Sequence, residues 1–228
     1  MDDLQNLRNF RDLGGMITTS GKKLRYGVFA RSNNPSRVTE EEIALIKAKG
    51  YRVVIDLRRE NERLRRPDLL ADRSDFDYCP IVMNERPYLD YCPLVDDESV
   101  AEAYFSKLLV SAGSIKDIFT LFAKADAGVL FHCESGKDRT GTVAALLLLL
   151  VGARDEDIVA DYALSYDRLY VKCDDVYLAD SDILPKAAVM ESFLRLFHHE
   201  YDSADDYFER IGFDGVYRKM IREKFFAD

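Results

Sequence analysis

Residues 128–141 read Gly128-Val129-Leu130-Phe131-His132-Cys133-Glu134-Ser135-Gly136-Lys137-Asp138-Arg139-Thr140-Gly141. The apolar start of this stretch predicts a buried strand, and the good helix formers that follow it predict a helix. A short loop that contains Gly136 therefore joins a strand to a helix N-terminus. Such a loop directs several backbone N–H groups to one point, where they bind an anion.

The two reactive side chains of this loop are those of Cys133 and Arg139, with five residues between them. A free cysteine has a pKa of about 8.5, which a helix N-terminus and nearby cations lower by several units. We therefore expect Cys133 to be ionised and to attack phosphorus. Arg139 can hold two phosphoryl oxygens at once and stabilise their charge in the transition state. The pattern predicts a cysteine-dependent phosphatase with a phosphocysteine intermediate.

The rest of the loop is expected to bind the phosphate or to support the nucleophile. Thr140 is expected to hydrogen-bond the Cys133 sulfur and stabilise it as a leaving group, and His132 to order the loop from behind. Lys137 is expected at the rim, where it either contacts a neighbouring phosphate or lowers the pKa of Cys133. The residues predicted to bind phosphate are Glu134, Ser135, Gly136, Lys137, Asp138 and Arg139.

Hydrolysis also needs an acid that protonates the departing oxygen. Many tyrosine phosphatases carry this aspartate on a loop marked by tryptophan, and this chain has no tryptophan. Asp138 is therefore the first candidate for the general acid, and Asp56, at the end of a predicted strand, is the second. The third group of candidates comprises Asp90, Asp96 and Asp97. An alternative role for Asp138 is a salt bridge that orients Arg139.

These motifs give the sequence a family resemblance. It resembles the bacterial atypical tyrosine/lipid phosphatase family, whose loop reads His-Cys-x-x-Gly-Lys-Asp-Arg-Thr-Gly. Residues 132–141 match this pattern completely, and further matches follow in the family's order along nearly the whole chain. They are Asn9-Phe10-Arg11-Asp12-Leu13-Gly14-Gly15, Leu24-Arg25-Tyr26-Gly27 with Arg31-Ser32, Val54-Ile55-Asp56-Leu57-Arg58 with Glu62, Asp161-Tyr162-Ala163-Leu164-Ser165 and Tyr207-Phe208-Glu209-Arg210-Ile211-Gly212.

The resemblance implies a protein-tyrosine, dual-specificity or lipid phosphatase. Its substrates would carry phosphotyrosine, phosphoserine or phosphothreonine, or would be phosphoinositides; Lys137 also suits inositol phosphates. In this family a helical insertion, here at about residues 170–212, can fold over the site as a lid. The alternative is that these helices simply pack on the core. The Arg11–Asp12 pair is expected to buttress the loop, and Asp56 to support it.

Strand-like and helix-like segments alternate along the chain. This alternation predicts an α/β fold of the cysteine-phosphatase kind, with a central mixed sheet flanked by helices and a single phosphatase domain over residues 1–228. Thr39-Glu40-Glu41-Glu42 is typical of a helix capping box, and Gly50 of a helix C-cap. The predicted strands are 53–55, 78–82 and 128–132, and the predicted helices are 98–110, 113–125, 139–152 and 155–169.

The composition of the chain limits the partners, the cellular location and the cofactors that we expect. A net charge of −9 argues against nucleic acid. The longest apolar run, Val143–Val151, is too short for a transmembrane segment. The acidic start and four cysteines without paired spacing predict a cytoplasmic protein, although unconventional export and the oligomeric state stay open. We expect no cofactor and no metal, because His198-His199 has no third ligand nearby.

The chain also contains an arginine-rich stretch, and two other function classes are alternatives to a phosphatase. The arginines of this stretch are interpreted as a solvated loop face; they are Arg52, Arg58, Arg59, Arg63, Arg65 and Arg66.

A pseudophosphatase would bind phosphorylated ligands without turnover, but Cys133, Arg139 and Thr140 are all intact. A rhodanese-like sulfurtransferase also uses a cysteine in an anion-binding loop, and the Arg139-Thr140 pair and the flanking resemblance argue against it.

Overall fold

Five strands form the sheet of the part that the structure, a computed structural model, describes: residues 4–83, 96–171 and 184–226. They are β1 (Arg11–Asp12), β2 (Phe29–Ser32), β3 (Tyr51–Asp56), β4 (Asp77–Pro80) and β5 (Gly128–His132). Their order is β1-β2-β5-β3-β4, with β1 antiparallel to β2 and the other pairs parallel. The expected mixed sheet in an α/β fold is confirmed.

Nine α-helices flank this sheet within the described residues. They are α1 (Glu40–Ala48), α2 (Glu60–Arg65), α3 (Asp97–Val110), α4 (Ala112–Lys124), α5 (Asp138–Leu150), α6 (Asp155–Tyr166), α7 (Ala187–Glu200), α8 (Ala204–Arg210) and α9 (Gly215–Phe225). A short π-helix, Asp167–Val171, continues α6, so the helix expected to reach residue 169 changes its hydrogen-bond pattern before that point. Within the described ranges, none of these helices is both long and apolar enough to cross a bilayer.

The start and end of α1 follow the sequence signals. The Thr39 hydroxyl accepts from the Glu42 N–H at 3.2 Å, and the Glu42 carboxylate accepts from the Thr39 N–H at 2.9 Å. Gly50 follows the helix with a φ of +93°, a conformation that only glycine adopts without strain. The capping box is therefore confirmed. The C-cap is Lys49, and the predicted glycine takes the left-handed position directly after it, where the turn leads the chain into β3.

The middle strand, β5, decides where the predicted anion-binding loop lies. It pairs with β2 on one side and β3 on the other, so its carboxyl end lies between the carboxyl ends of two parallel neighbours. Its side chains alternate: Val129 and Phe131 join the larger core, and Leu130 joins the smaller core on the opposite face. This central position holds the residue that follows β5, Cys133, on a rigid element.

The described part of the expected lid belongs to the core. In α7 the side chains of Val189, Met190, Phe193 and Phe197 are fully buried, and α8 buries Tyr207 and Phe208. Helices with such buried faces do not swing open without exposing them. For residues 187–210 these buried faces favour the alternative that the helices pack on the core. The lid itself stays a prediction, and residues 172–183 lie outside the described residues. The single domain over residues 1–228 stays a prediction.

A close approach of three chain segments at the amino end of β5 predicts a strong effect of one substitution. A Cβ atom at Gly128 would lie 2.5 Å from the Gly27 carbonyl oxygen and 2.9 Å from that of Gly50. We expect Gly128→Ala to lower the free energy of unfolding by roughly 1–3 kcal/mol, measured by urea denaturation. Gly113→Ala, in α4, is the matched control, since a Cβ there meets no atom within 4 Å. Equal losses in the two variants would contradict the packing argument.

Candidate active site

The loop after β5, residues 134–137, is anchored by hydrogen bonds that the N-terminal part of the chain donates to its backbone carbonyls. The donors are Asn9, Arg31 and Asn34. The Asn34 N–H donates to the Glu134 carbonyl at 2.9 Å. Asn9 Nδ2 donates to the carbonyls of Ser135 at 3.1 Å and Gly136 at 3.0 Å. Arg31 NH2 donates to the carbonyls of Gly136 at 2.8 Å and Lys137 at 3.3 Å. In a trans peptide the C=O and the next N–H point in opposite directions, so the N–H groups of residues 135–138 turn the other way.

A buried carboxylate fixes the guanidinium that holds this loop. Asp161, in α6, lies 2.6 Å from Arg31 NH1 and 2.6 Å from Arg11 Nε. Burial alone would raise the pKa of the Asp161 carboxyl, but the charges of Arg11 and Arg31 lower it below its usual value. Arg11 also donates to the Asn9 side chain at 2.5 Å. Arg11 therefore buttresses the loop through both Asn9 and Asp161.

Two glycines allow these contacts. A Cβ at Gly136, which has a φ of +70°, would lie 2.1 Å from the Ser32 carbonyl oxygen at the end of β2. A Cβ at Gly141 would lie 3.1 Å from the Tyr162 ring and 3.3 Å from Arg31 NH2. Gly136 therefore lets the loop rest on the end of β2, and Gly141 lets Arg31 reach beneath it.

Cys133 lies at the carboxyl end of β5, with 2% of its surface exposed. The preceding residue, His132, is fully buried; its Nδ1 lies 3.1 Å from the Cys133 carbonyl oxygen and its Nε2 lies 2.9 Å from Asp68 Oδ2. Burial alone would lower the pKa of His132, but the nearby carboxylates Asp56 and Asp68 raise it. His132 therefore lies behind the loop, where the two carboxylates favour its charged form.

Asp56, the second candidate for the general acid, is bound to other groups. It is fully buried; Arg58 NH2 and the Tyr78 hydroxyl each lie 2.7 Å from Oδ2. Burial alone would raise the pKa of Asp56, but the charge of His132 and the bonds from Arg58 lower it to about 2. Burial and the bonds to Arg58 and Tyr78 disfavour Asp56 as the general acid, a role that stays a prediction. In the structure Asp56 supports the end of β3.

Asp56, Asp68 and His132 bring three potential metal-ligand atoms within 4.8 Å of one another. These groups fit an ion-paired cluster better than a metal site. The Arg58 guanidinium occupies both Asp56 oxygens, at 3.1 Å or less, and its positive charge would repel a cation.

The basic stretch of α2 and its flanks is partly internal. Arg58 is fully buried, and its NH1 lies 3.3 Å from Glu134 Oε2; Arg66 NH1 lies 2.5 Å from Glu134 Oε1. The interpretation as a solvated face is therefore wrong for Arg58, whereas Arg66 is partly exposed and binds the same loop carboxylate. The side chain of Glu134 is thus an anchor of the loop, and any phosphate contact of this residue would use its backbone N–H.

Arg139, in the first turn of α5, is oriented by a carboxylate that sequence analysis did not assign. Its NH1 and NH2 donate to Glu62 Oε2 at 2.8 Å and Oε1 at 2.7 Å, a parallel two-bond geometry. Burial alone would raise the pKa of Glu62, but the bonds and charge of Arg139 lower it to about 2. Glu62 was visible in the sequence only as a position that matched the family.

Asp138, the first candidate for the general acid, does not take that orienting role. Its Oδ1 accepts a hydrogen bond from the Tyr104 hydroxyl, and its Oδ2 lies 3.8 Å from Lys137 Nζ. Lys137 is fully buried, with its Nζ 3.4 Å from the Tyr170 hydroxyl, so its expected place at the open rim is wrong. The amphipathic pattern of α3 gave no signal that Tyr104 would reach the loop.

Two supporting residues differ from expectation. The Thr140 hydroxyl is buried and makes no hydrogen bond, to Cys133 Sγ or to any other atom, within the described residues, so the expected bond to the sulfur is not formed. Asp12 lies outside the loop's contacts; its carboxylate accepts from the Gly14 N–H at 2.7 Å, the Gly27 N–H at 2.6 Å and the Tyr51 hydroxyl. Tyr51 begins β3, so Asp12 braces the opposite end of the sheet.

The remaining acid candidates lie at the start of α3. Asp96 caps this helix by accepting from the Ser99 N–H at 2.8 Å, a bond that lowers the pKa of its carboxyl. Asp97 pairs with Lys186 at 2.9 Å. Both carboxylates are thus engaged with partners outside the loop, and Asp90 lies outside the described residues.

Cys133 and the paired Arg139 thus lie at the two ends of a loop whose N–H groups turn away from the residues that anchor it. The model of the tyrosine phosphatase family matches residues 2–227, and the chain belongs to this family. Of its relatives, the tyrosine-protein phosphatase of Nostoc commune is 38% identical over 140 residues, covering 60% of this chain and 48% of the relative. The triple specificity protein phosphatase PtpB of Mycobacterium tuberculosis is 32% identical over 201 residues, covering 72% of this chain and 69% of PtpB.

A third relative is a putative tyrosine-protein phosphatase of Cupriavidus necator, 29% identical over 168 residues, with 71% of this chain and 62% of the relative covered. The chain thus spans about half of the Nostoc relative and less than two thirds of this one. Among solved structures, P. aeruginosa TpbA aligns at 16% identity with a TM-score of 0.35, covering 75% of this chain and 86% of TpbA. That likeness is too weak to compare the two sites.

The Glu62–Arg139 pair predicts the effect of a single charge removal. Glu62→Gln keeps the size of the side chain but removes the carboxylate that fixes the guanidinium. We expect the affinity for inorganic phosphate, measured by titration calorimetry, to fall roughly tenfold. Glu60→Gln in the same helix is the control, because Glu60 is exposed. Equal phosphate affinities of wild type and Glu62→Gln would show that Arg139 does not need this partner.

The paired carboxylates also predict a loss of stability in acid. Glu62 and Asp56 have a pKa of about 2 in the folded chain, below ordinary values of 4.5 and 3.8. Such groups stabilise the fold fully above their unfolded pKa, and the contribution is lost as the pH falls through the folded pKa. We expect protonation of these two groups to lower the free energy of unfolding by up to about 5 kcal/mol as the pH falls from about 5 to 2. Urea denaturation at several pH values measures this slope.

Glu62→Gln serves as the test variant in that series. It removes one of the two titrating groups, so its unfolding free energy should fall less steeply with acid than that of the wild type. A variant profile that runs parallel to the wild-type profile would mean that Glu62 has an ordinary pKa in the folded chain.

Proposed function

We propose that this chain hydrolyses phosphate monoesters through a covalent cysteinyl-phosphate. The observation that carries the proposal is the anchored loop: its carbonyls are drawn back by Asn9, Arg31 and Asn34, which turns its N–H groups toward the side where a phosphate would bind. Cys133 begins this loop, and Arg139 stands at its end with its guanidinium already oriented by Glu62. These are the parts that phosphoryl transfer to sulfur requires.

In the first step the Cys133 thiolate attacks phosphorus. The S–P bond forms while the bond from phosphorus to the leaving oxygen breaks, and Asp138 gives its proton to that oxygen. The loop N–H groups and Arg139 stabilise the charge on the other three phosphoryl oxygens. The fixed orientation of Arg139 means that little rearrangement is needed at the moment of reaction.

In the second step water cleaves the cysteinyl-phosphate. Asp138, now ionised, takes a proton from the water as it attacks phosphorus, and the S–P bond breaks to return the thiolate. His132 lies behind Cys133, Asp56 and Asp68 raise its pKa, and its charged form would stabilise this leaving thiolate. Asp138 thus ends the cycle in the protonated form in which it began.

The proposed substrates are phosphorylated proteins, with phosphoinositides and inositol phosphates as further members of the same chemical class. The relative PtpB carries the name of a triple specificity protein phosphatase, which supports a broad protein specificity. Four cysteines without paired spacing support a reducing, cytoplasmic setting. The alternatives are a pseudophosphatase and a rhodanese-like sulfurtransferase, and the intact Cys133 and Arg139 favour hydrolysis over the first.

The experiment is phosphate release by wild type, Cys133→Ser and Arg139→Lys without added metal. The substrates are 4-nitrophenyl phosphate, phosphopeptides, phosphoinositides and inositol phosphates. We expect Cys133→Ser to lose on the order of 10⁴-fold or more in kcat, because the nucleophile is gone. Arg139→Lys should lose on the order of 10²–10³-fold, because lysine cannot bind two oxygens in a fixed fork.

Cys79→Ser is the matched control, since Cys79 is a free cysteine on β4 outside the site. It should keep wild-type turnover. An acid-quenched wild-type reaction should also carry one phosphoryl group on Cys133, found by mass spectrometry. Turnover that survives Cys133→Ser would overturn the mechanism, and sulfur transfer from thiosulfate to cyanide would favour the sulfurtransferase.

A further inference from the structure

We propose that Tyr104 is a positioning residue that fixes the carboxyl group of Asp138 for proton transfer, with Tyr162 behind it. The inference rests on the proposed function, because it concerns the acid of that reaction. Neither tyrosine lies in the loop: Tyr104 is in α3 and Tyr162 is in α6. Each is 1% exposed, so both hydroxyl groups meet the protein interior.

The hydroxyl groups form a chain that ends on the acid. The Tyr104 hydroxyl donates to Asp138 Oδ1, and the Tyr104 and Tyr162 hydroxyl oxygens lie 2.9 Å apart. A phenol has a single O–H. Because Tyr104 donates this hydrogen bond to Asp138, its oxygen must accept a hydrogen bond from Tyr162. The direction of donation is therefore Tyr162 to Tyr104 to Asp138, and each bond polarises the next.

Both phenols stay protonated while they do this. Burial, together with the charge of Asp138, raises the pKa of Tyr104 and of Tyr162 well above their ordinary values. Tyr104 therefore remains a donor at every pH at which the enzyme works. Asp138 Oδ1 can accept this bond whether the carboxyl is protonated or ionised, so the contact persists through the cycle.

The consequence is that the two oxygens of Asp138 have different roles. Rotation about the Cβ–Cγ bond of aspartate has a broad energy profile, so a carboxyl group needs a partner to hold its plane. Tyr104 occupies Oδ1, which leaves Oδ2 as the atom that carries and returns the proton. Oδ2 is also the oxygen nearer to Lys137, 3.8 Å from its Nζ.

The surrounding packing holds the chain of hydroxyls rigid. The two rings meet edge to face with centroids 6.1 Å apart. A Cβ at Gly141 would lie 3.1 Å from the Tyr162 ring, so the glycine at this position lets that ring approach α5. Because α3 also packs against the buried face of α7, Tyr104 has little freedom to withdraw from Asp138.

The test compares a poor and a good leaving group in the step that forms the cysteinyl-phosphate, which kcat/KM reports. Phenol needs a proton as it departs, whereas 2,4-dinitrophenol does not. We expect Tyr104→Phe to lower kcat/KM for phenyl phosphate roughly 5- to 10-fold and for 2,4-dinitrophenyl phosphate less than about 2-fold. Asp138→Asn should show the same selectivity more strongly, and Tyr162→Phe more weakly.

Tyr207→Phe is the matched control for loss of a buried hydroxyl. Tyr207 is fully buried and donates to the Leu108 carbonyl at 3.0 Å, outside the loop's contacts. It should change kcat/KM for the two substrates by the same factor. The double variant Tyr104→Phe/Asp138→Asn should be no slower with phenyl phosphate than Asp138→Asn alone, because Tyr104 acts through Asp138.

The outcomes separate this inference from the proposed function. Equal losses for both substrates in Tyr104→Phe, or additive losses in the double variant, would overturn the positioning role while wild-type turnover upheld the phosphatase. Absence of wild-type turnover on either substrate would overturn the proposed function and the inference with it. A selective loss in Asp138→Asn with none in Tyr104→Phe would leave Asp138 as the acid and remove Tyr104 from its positioning role.

Discussion

A guanidinium that binds a carboxylate on one side and backbone carbonyls on the other determines the shape of the loop that follows β5. Arg31 lies 2.6 Å from Asp161 and 2.8 Å from the Gly136 carbonyl. Because the charge of Arg31 is neutralised within the interior, it can stay fully buried beneath the loop. Removing Asp161 would leave Arg31 and Arg11 as uncompensated buried charges, which destabilise proteins by about 3–5 kcal/mol. The geometry of the loop and the stability of this region thus depend on one ion-paired cluster.

The acids of the site divide into two kinds. Asp161, Asp56 and Glu62 each bind an arginine and are held in their charged form by it. Asp138 differs because its Oδ1 is bound by a neutral phenol, Tyr104. A carboxylate locked to a guanidinium is a poor proton donor, whereas a phenol partner permits both protonation states. The electrostatic arrangement therefore separates the arginine-bound acids, which hold the site, from Asp138, the acid that we propose exchanges a proton.

Sequence patterns were sufficient for the fold class, the strand before Cys133, the helix after it and the capping of α1. They failed where a residue's role depends on a distant partner. Lys137 and Arg58 look like surface cations in the sequence, yet both are fully buried. Glu62 and Tyr104 reach the loop from other helices, and no local pattern encodes such contacts. The roles of Cys133, Arg139 and Asp138 stay predictions that rest on residue chemistry and on the family.

The contacts that shape the loop also determine when during folding it can form. Asn9 Nδ2 and the Gly136 carbonyl are 127 residues apart in the chain, and Arg31 and Asp161 are 130 apart. Contacts of such long range require the chain to close large loops, which slows folding. During synthesis the arrangement around Cys133 therefore cannot be complete until α6 has been made and Asp161 has paired with Arg31.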